Sequence, residues 1–153
     1  LKSVEVVHCA HSFALVVKHA AGWKMVYSGD TRPCKRLSEA AKDATVLIHE
    51  ATFDDGMLEE AQAKKHSMTC EAVQVGVDAG AYRTILTHFS QRYPKIPIID
   101  ESFTPRVGIA FDLMSVNFAD LPDLPHLLPA LQVMFADENL AAQEETEETN
   151  LFS

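Results

Sequence analysis

Thr45-Val46-Leu47-Ile48-His49-Glu50-Ala51-Thr52-Phe53 is the stretch on which the reading of this chain turns. Its apolar run stops abruptly on two adjacent titratable residues. A strand that ends this way puts both at the rim of a sheet, where loops carry chemistry. The run itself is almost wholly apolar, which predicts a strand buried on both faces. Upstream, Tyr27-Ser28-Gly29-Asp30-Thr31 closes another apolar run on a carboxylate. Downstream, Thr84-Ile85-Leu86-Thr87-His88-Phe89-Ser90 closes a third on an imidazole. Three strand ends carrying His or Asp read as one site.

The segments between these runs are of helical type. Pro33 can occupy the first turn of a helix over residues 34–42, with Leu37, Ala40 and Ala41 as its apolar side. Asp54-Asp55-Gly56 turns the chain into a short helix over 57–64. Thr69 is placed to N-cap a helix over 70–79, with Glu71 in the first turn, where the helix dipole favours an acid. Before the first site strand, residues 4–7 predict a strand ending at His8. Residues 12–19 and 23–28 predict an antiparallel pair joined at Ala20-Ala21-Gly22. Strand–helix–strand alternation of this kind is the pattern of a layered α/β domain. Beyond His88, residues 91–105 contain Pro94, Pro97 and Pro105 and predict a surface loop. Residues 107–112 and 115–118 predict short strands. Pro122, Pro125 and Pro129 predict that any helix over 121–129 is broken.

At 153 residues the chain is long enough for one domain with a real core, and its hydrophobic fraction of 47% fits a globular protein. No apolar run approaches the roughly 20 residues that span a bilayer, so no membrane partner is expected. The chain enters directly from Leu1 into Val4-Glu5-Val6-Val7, which reads as a piece of something larger, and no targeting segment is visible. The net charge is −9, which argues against nucleic acid. Six of the acids lie from Asp137 onward, where there is no Lys or Arg; without them 16 acids face 13 bases, so the objection is weak. That tail, residues 136–153, has no hydrophobic stripe and is expected to be disordered, leaving 1–135 as the folded part. Cys9, Cys34 and Cys70 form no CxxC pair and are expected to be free thiols in a reducing compartment.

His8, Asp30 and His88 each end an apolar run, and imidazole and carboxylate suit Zn²⁺. A carboxylate can bridge two metals, an arrangement suited to phosphodiester hydrolysis. A histidine at a strand end is equally compatible with a structural role, so spacing alone leaves both readings open.

Four words narrow the choice. Ser28-Gly29-Asp30-Thr31, His49-Glu50-Ala51-Thr52, His66-Ser67-Met68-Thr69 and Leu86-Thr87-His88-Phe89-Ser90-Gln91-Arg92-Tyr93 resemble, in order and separation, the C-terminal motifs of ribonuclease Z, the tRNA 3′ processing endoribonuclease. His8 lies 22 residues before Asp30 and His88 58 after it, again as in that family. The close spacing of His8 and Asp30 is similar to the long, eukaryotic form. The resemblance covers about residues 4–120. It implies the C-terminal half of a metallo-β-lactamase fold, an αββα sandwich. It implies two zinc ions, with His8 on one, His88 on the other and Asp30 between them. It assigns His66 to the scissile phosphate as proton donor, with Glu50 orienting it, and Ser67 and Thr69 to phosphate oxygens at a helix N-terminus. The implied partners are precursor tRNA and an N-terminal half of the same enzyme. The implied location is intracellular, in nucleus or mitochondrion. The family's HxHxDH word, which supplies four ligands and a general-base carboxylate, is absent from this sequence. The chain therefore reads as part of a zinc endonuclease, with a catalytically inactive remnant or binding module as the alternative. A thioesterase of the same fold, such as a glyoxalase II-like enzyme, fits the His49-Glu50-Ala51-Thr52 and His66-Ser67-Met68-Thr69 words less well.

Overall fold

A computed structural model describes residues 1–90 and 104–136. Among these, six strands form one sheet in the order of the chain: β1 (Lys2–Glu5), β2 (Phe13–Lys18), β3 (Lys24–Tyr27), β4 (Val46–Glu50), β5 (Arg83–Thr87) and β6 (Val107–Ile109). The pairs β1–β2 and β2–β3 are antiparallel; β3–β4, β4–β5 and β5–β6 are parallel. Parallel neighbours need crossovers, and helices supply them. α1 (Lys35–Ala41) links β3 to β4, while α2 (Leu58–Lys64) and α3 (Thr69–Asp78) link β4 to β5. The β2–β3 hairpin turns through Gly22, whose φ of +93° a residue with a side chain adopts only with strain.

One face of the sheet carries the main core. Ala14, Val16, Val26 and Leu47 point to it and pack with Leu37 and Ala41 of α1, Val75 of α3 and Ala79, which caps that helix. Helix α3 lies close because of Gly76: a Cβ there would sit 2.0 Å from Thr84 Oγ1 on β5. On the opposite face Val46 and Ile85 are covered by Leu121 and Leu124, with Met114 and Val116 against them. On the same face Met25 of β3 packs against this cluster, while Phe13, Leu15 and Tyr27 are exposed to 49%, 37% and 42%.

Three local expectations give way. Residues 115–118 form no strand; a 3-10 turn covers Phe118–Asp120, and β6 stops at Ile109. Residues expected to break a helix instead form α4 (Leu124–Met134). Pro125 sits in its first turn, where its missing N–H costs nothing. Pro129 lies inside, and the helix holds because Leu128 and Leu131 pack against Leu86, Val107 and Ile109. Helix α3 starts one residue early, with Met68 as its cap, and Glu71 Oε2 accepts the Met68 N–H at 2.9 Å. The loop expected over 91–105 lies largely, and the tail expected from 136 almost wholly, outside the described residues.

Candidate functional site

Five side chains meet at the carboxyl ends of β3, β4 and β5. Each arrives by a different local device. After β3 the chain turns at Gly29, with φ +60°; a Cβ there would stand 3.0 Å from the Phe13 carbonyl oxygen. Asp30 follows on this turn. His8 is brought to it by short antiparallel pairing: Arg32 N–H donates to Val7 O at 2.8 Å, and Val7 N–H to Thr31 Oγ1 at 3.1 Å. β1 therefore ends at Glu5, earlier than expected, and this separate bridge positions His8. His88 leaves β5 with φ +62°, a left-handed conformation uncommon in residues other than glycine. His66 follows α2, which ends on left-handed Lys65.

Glu50 organises the centre. It is 1% exposed, and five donors converge on its carboxylate. Oε1 accepts from Thr31 N at 2.9 Å and from His66 Nδ1 at 2.8 Å. Oε2 accepts from Thr52 N at 3.1 Å, Thr52 Oγ1 at 2.8 Å and Ser67 N at 3.2 Å. His66 thus has Nδ1 tied to a buried carboxylate. Its ring lies between the other two histidines, with centroids 4.6 Å from His8 and 5.7 Å from His88. Donor atoms of His8, Asp30 and His66 fall within 4.8 Å of one another, and so do those of Glu50, His66 and His88. Asp30 Oδ1 is 3.8 Å from His88 Nδ1. His8 Nδ1 pairs with Lys65 O at 2.9 Å, and His88 Nδ1 with Thr52 Oγ1 at 2.8 Å.

This donor set fits zinc. Zinc-binding histidines usually give one ring N–H to a carbonyl, carboxylate or hydroxyl and ligate through the other nitrogen. Here His8 and His88 both have Nδ1 so engaged, which leaves Nε2 of each for a metal.

His49, the neighbour of Glu50, points the other way along the strand. It is fully buried, and its Nδ1 pairs with Glu50 O at 2.6 Å. Burial lowers its pKa, so it is a neutral structural group. Ser67 and Thr69 are also turned inward. Ser67 is fully buried and donates its hydroxyl to Thr31 O at 2.6 Å; Thr69 is 2% exposed, and its Oγ1 has no hydrogen-bond partner among the described residues. The Ser67 hydroxyl thus braces the loop against the turn after Asp30, and the Thr69 hydroxyl is buried.

Two contributors carried no role in the sequence reading. Arg32 forms a two-pronged ion pair with Glu71 and also donates through Nη1 to His66 O at 2.8 Å. One guanidinium thus ties the turn after Asp30 to the His66 loop and the start of α3. Thr52 touches Glu50, His66 and His88 at once. Both lie inside or beside the motif words; the missing signal was a partner 34 to 39 residues away for Arg32 and 36 for Thr52.

With this geometry, the likeness to known proteins is specific. The described sheet, its helices and the rim site have the metallo-β-lactamase fold; a protein of that fold from Bacillus subtilis, YhfI, superposes with TM-score 0.57 at 19% identity over 71% of this chain and 45% of its own. Within that class the chain is homologous to ribonuclease Z. It is 57% identical over 148 residues to a mitochondrial tRNase Z of Arabidopsis thaliana, matching 90% of this chain and 16% of that protein. It is 50% identical over 131 residues to zinc phosphodiesterase ELAC protein 2 of Homo sapiens, matching 86% of this chain and again 16% of that protein. The crystal structure of a long-form RNase Z from yeast superposes with TM-score 0.80 at 32% identity, over 93% of this chain and 20% of that one. The human short form gives 0.63 at 29% over 76% of this chain and 42% of that one. No family model matches. The chain spans about a sixth of the length of the curated relatives it matches.

Proposed function

We propose that this chain carries one part of the active site of a zinc-dependent endoribonuclease that removes the 3′ trailer of precursor tRNA. The observation that carries this reading is the meeting of His8, Asp30, His66 and His88 around the buried Glu50 carboxylate. His8 and His88 would each hold one zinc through Nε2, with Asp30 between them. Bound zinc supplies Lewis-acid stabilisation of a phosphate and a hydroxide near neutral pH. His66 faces the scissile phosphate, and its Nε2 delivers a proton to the leaving 3′ oxygen as the P–O bond breaks. Glu50, on Nδ1, orients the ring and stabilises the imidazolium. Ser67 supports the loop that presents His66, through its N–H on Glu50 and its hydroxyl on Thr31 O. The names of the Arabidopsis relatives support a mitochondrial location. Among the described residues no helix is long and apolar enough to cross a membrane.

His8, Asp30 and His88 are too few for a two-metal centre, because a catalytic zinc normally has three protein ligands. The remaining ligands are those of an HxHxDH-bearing half, which also covers Phe13, Leu15 and Tyr27. The test is to purify the chain alone and co-expressed with a ribonuclease Z N-terminal half, titrate zinc by calorimetry and assay precursor tRNA. Alone, the chain should be poorly soluble, bind zinc weakly and leave tRNA uncut. Together they should cut at the 3′ end of the acceptor stem, and Asp30→Ala should abolish both cleavage and tight zinc. Two tight zinc sites and cleavage by the chain alone would refute the shared site. A soluble, zinc-loaded pair that never cuts would favour an inactive binding module.

A further inference from the structure

We propose that Thr52 is a positioning residue: its hydroxyl, aimed by Glu50, fixes His88 in the tautomer whose Nε2 is free to bind metal. The consequence for zinc rests on the metal-site reading above; the tautomer itself does not.

The argument is a count of hydrogens. A threonine hydroxyl has one hydrogen to give and lone pairs to receive. Thr52 Oγ1 has three polar neighbours: Glu50 Oε2 at 2.8 Å, His88 Nδ1 at 2.8 Å and His66 Nδ1 at 3.2 Å. The Glu50 carboxylate already faces the amides of Thr31, Thr52 and Ser67, so it acts as an acceptor only. The Thr52 hydrogen therefore goes to Glu50. His66 Nδ1 has the shorter contact to Glu50 Oε1, at 2.8 Å, and gives its hydrogen there. What remains on Thr52 Oγ1 is a lone pair facing His88 Nδ1, and that contact is a hydrogen bond only if Nδ1 carries the proton. Neutral His88 then has its lone pair on Nε2.

Thr52 alone can do this among the described residues. Asp30 Oδ1 stands 3.8 Å from His88 Nδ1, beyond hydrogen-bond range. The His88 side chain is 50% exposed, so water is the competing partner if Thr52 is lost. The arrangement also repeats across the site. His8 Nδ1 is held by Lys65 O, His66 Nδ1 by Glu50 and His88 Nδ1 by Thr52. Among the described residues all three rings have Nδ1 committed to protein and Nε2 uncommitted.

The experiment uses the chain, its histidines 15N-labelled, assembled with an unlabelled ribonuclease Z N-terminal half and stripped of metal by chelation, at a pH above 8 where free imidazole is neutral. Long-range 1H–15N correlation spectra report which ring nitrogen is protonated. His88 should be in the Nδ1–H form in the wild type and in Thr52→Ser. In Thr52→Val it should pass largely to the Nε2–H form that free histidine favours in water. Zinc affinity, titrated with zinc chloride alone, should fall on the order of 10- to 100-fold in Thr52→Val and recover in Thr52→Ser. Wild-type His88 in the Nε2–H form, or a Thr52→Val spectrum like the wild type's, overturns the proposal. Should Thr52→Val fail to fold, the wild-type spectrum decides by itself. The tautomer is read without metal and without RNA, so these outcomes are separate from failure of the nuclease reading.

Discussion

Replacing Glu50 with Ala should cost this chain about 3–5 kcal/mol, most of a typical domain's stability margin. Two effects oppose each other. Burying a carboxylate is expensive, and removing one relieves that expense. The relief is realised only when the partners can also be replaced, and here three of the five are main-chain amides: Thr31, Thr52 and Ser67. Each buried N–H left unpaired costs about 1–3 kcal/mol, and a water admitted to the vacated space recovers part of it. The orphaned amides therefore outweigh the relief. Glu50→Gln keeps the shape and one acceptor, but its NH₂ group meets donors, so a loss of about 1–3 kcal/mol is expected. Urea denaturation of each variant gives the numbers, with equal slopes required so that midpoints compare like with like. A Glu50→Ala chain within about 1 kcal/mol of wild type would refute the reasoning, because the donors would then have found other acceptors or open water.

Three further outcomes are expected. In the chain paired with its complementing half, His66→Ala should lower kcat on the order of 10²–10⁴-fold while zinc content stays near wild type; loss of zinc with activity would make His66 a ligand. Asp54 is half-buried beside Asp55, and burial first, then its neighbour's charge, raise its pKa to about 6. A carboxyl raised in the folded state favours folding below pH 4 and loses that contribution as pH rises through about 6; Asp54→Asn should thus stabilise the chain by about 1–2 kcal/mol at pH 8 and not at pH 4, read from urea midpoints. Gly76→Ala should destabilise by about 1–3 kcal/mol despite alanine's better helix propensity, because its Cβ would fall 2.0 Å from Thr84 Oγ1; Thr84→Ala in the same chain should recover much of the loss.

Much of the scaffold was legible because burial leaves a pattern. Val46-Leu47-Ile48 and Ile85-Leu86 are apolar without interruption, and they are the central parallel strands, covered on both faces. Helix α4 was not legible, because two prolines outweigh local propensity on paper while packing of Leu128 and Leu131 onto β6 outweighs them in the fold. The Arg32–Glu71 pair was hidden for another reason. Its members lie 39 positions apart, and neither residue's neighbours betray the other. Glu50 could be suspected as an orienting group for His66, but its role as acceptor for the main chain of three separate segments appears only when those segments are assembled.

The same distinction explains why the motif words name candidates for the site but not its wiring. The words put Asp30, Glu50 and His88 at strand ends; which atoms meet depends on register. Glu50 stands opposite Thr87, Ala51 N–H donates to Thr87 O at 2.8 Å, and Ser90 N–H donates to Thr52 O at 3.3 Å. That pairing carries one residue pattern past the end of each strand and sets Thr52 beside His88. A slip of one residue between β4 and β5 would turn alternate side chains to the other face, exchanging His49 for Glu50 at the centre. Both faces of these strands are apolar, so what holds the register is fit: Leu47 and Leu86, both fully buried, would leave the spaces they fill, and Thr84 would leave its place against Gly76. The hydrophobic interior thus does more than hold the sheet. By fixing register it decides that the buried acceptor is Glu50, that His49 is neutral and structural, and that Thr52 is the hydroxyl which meets His88.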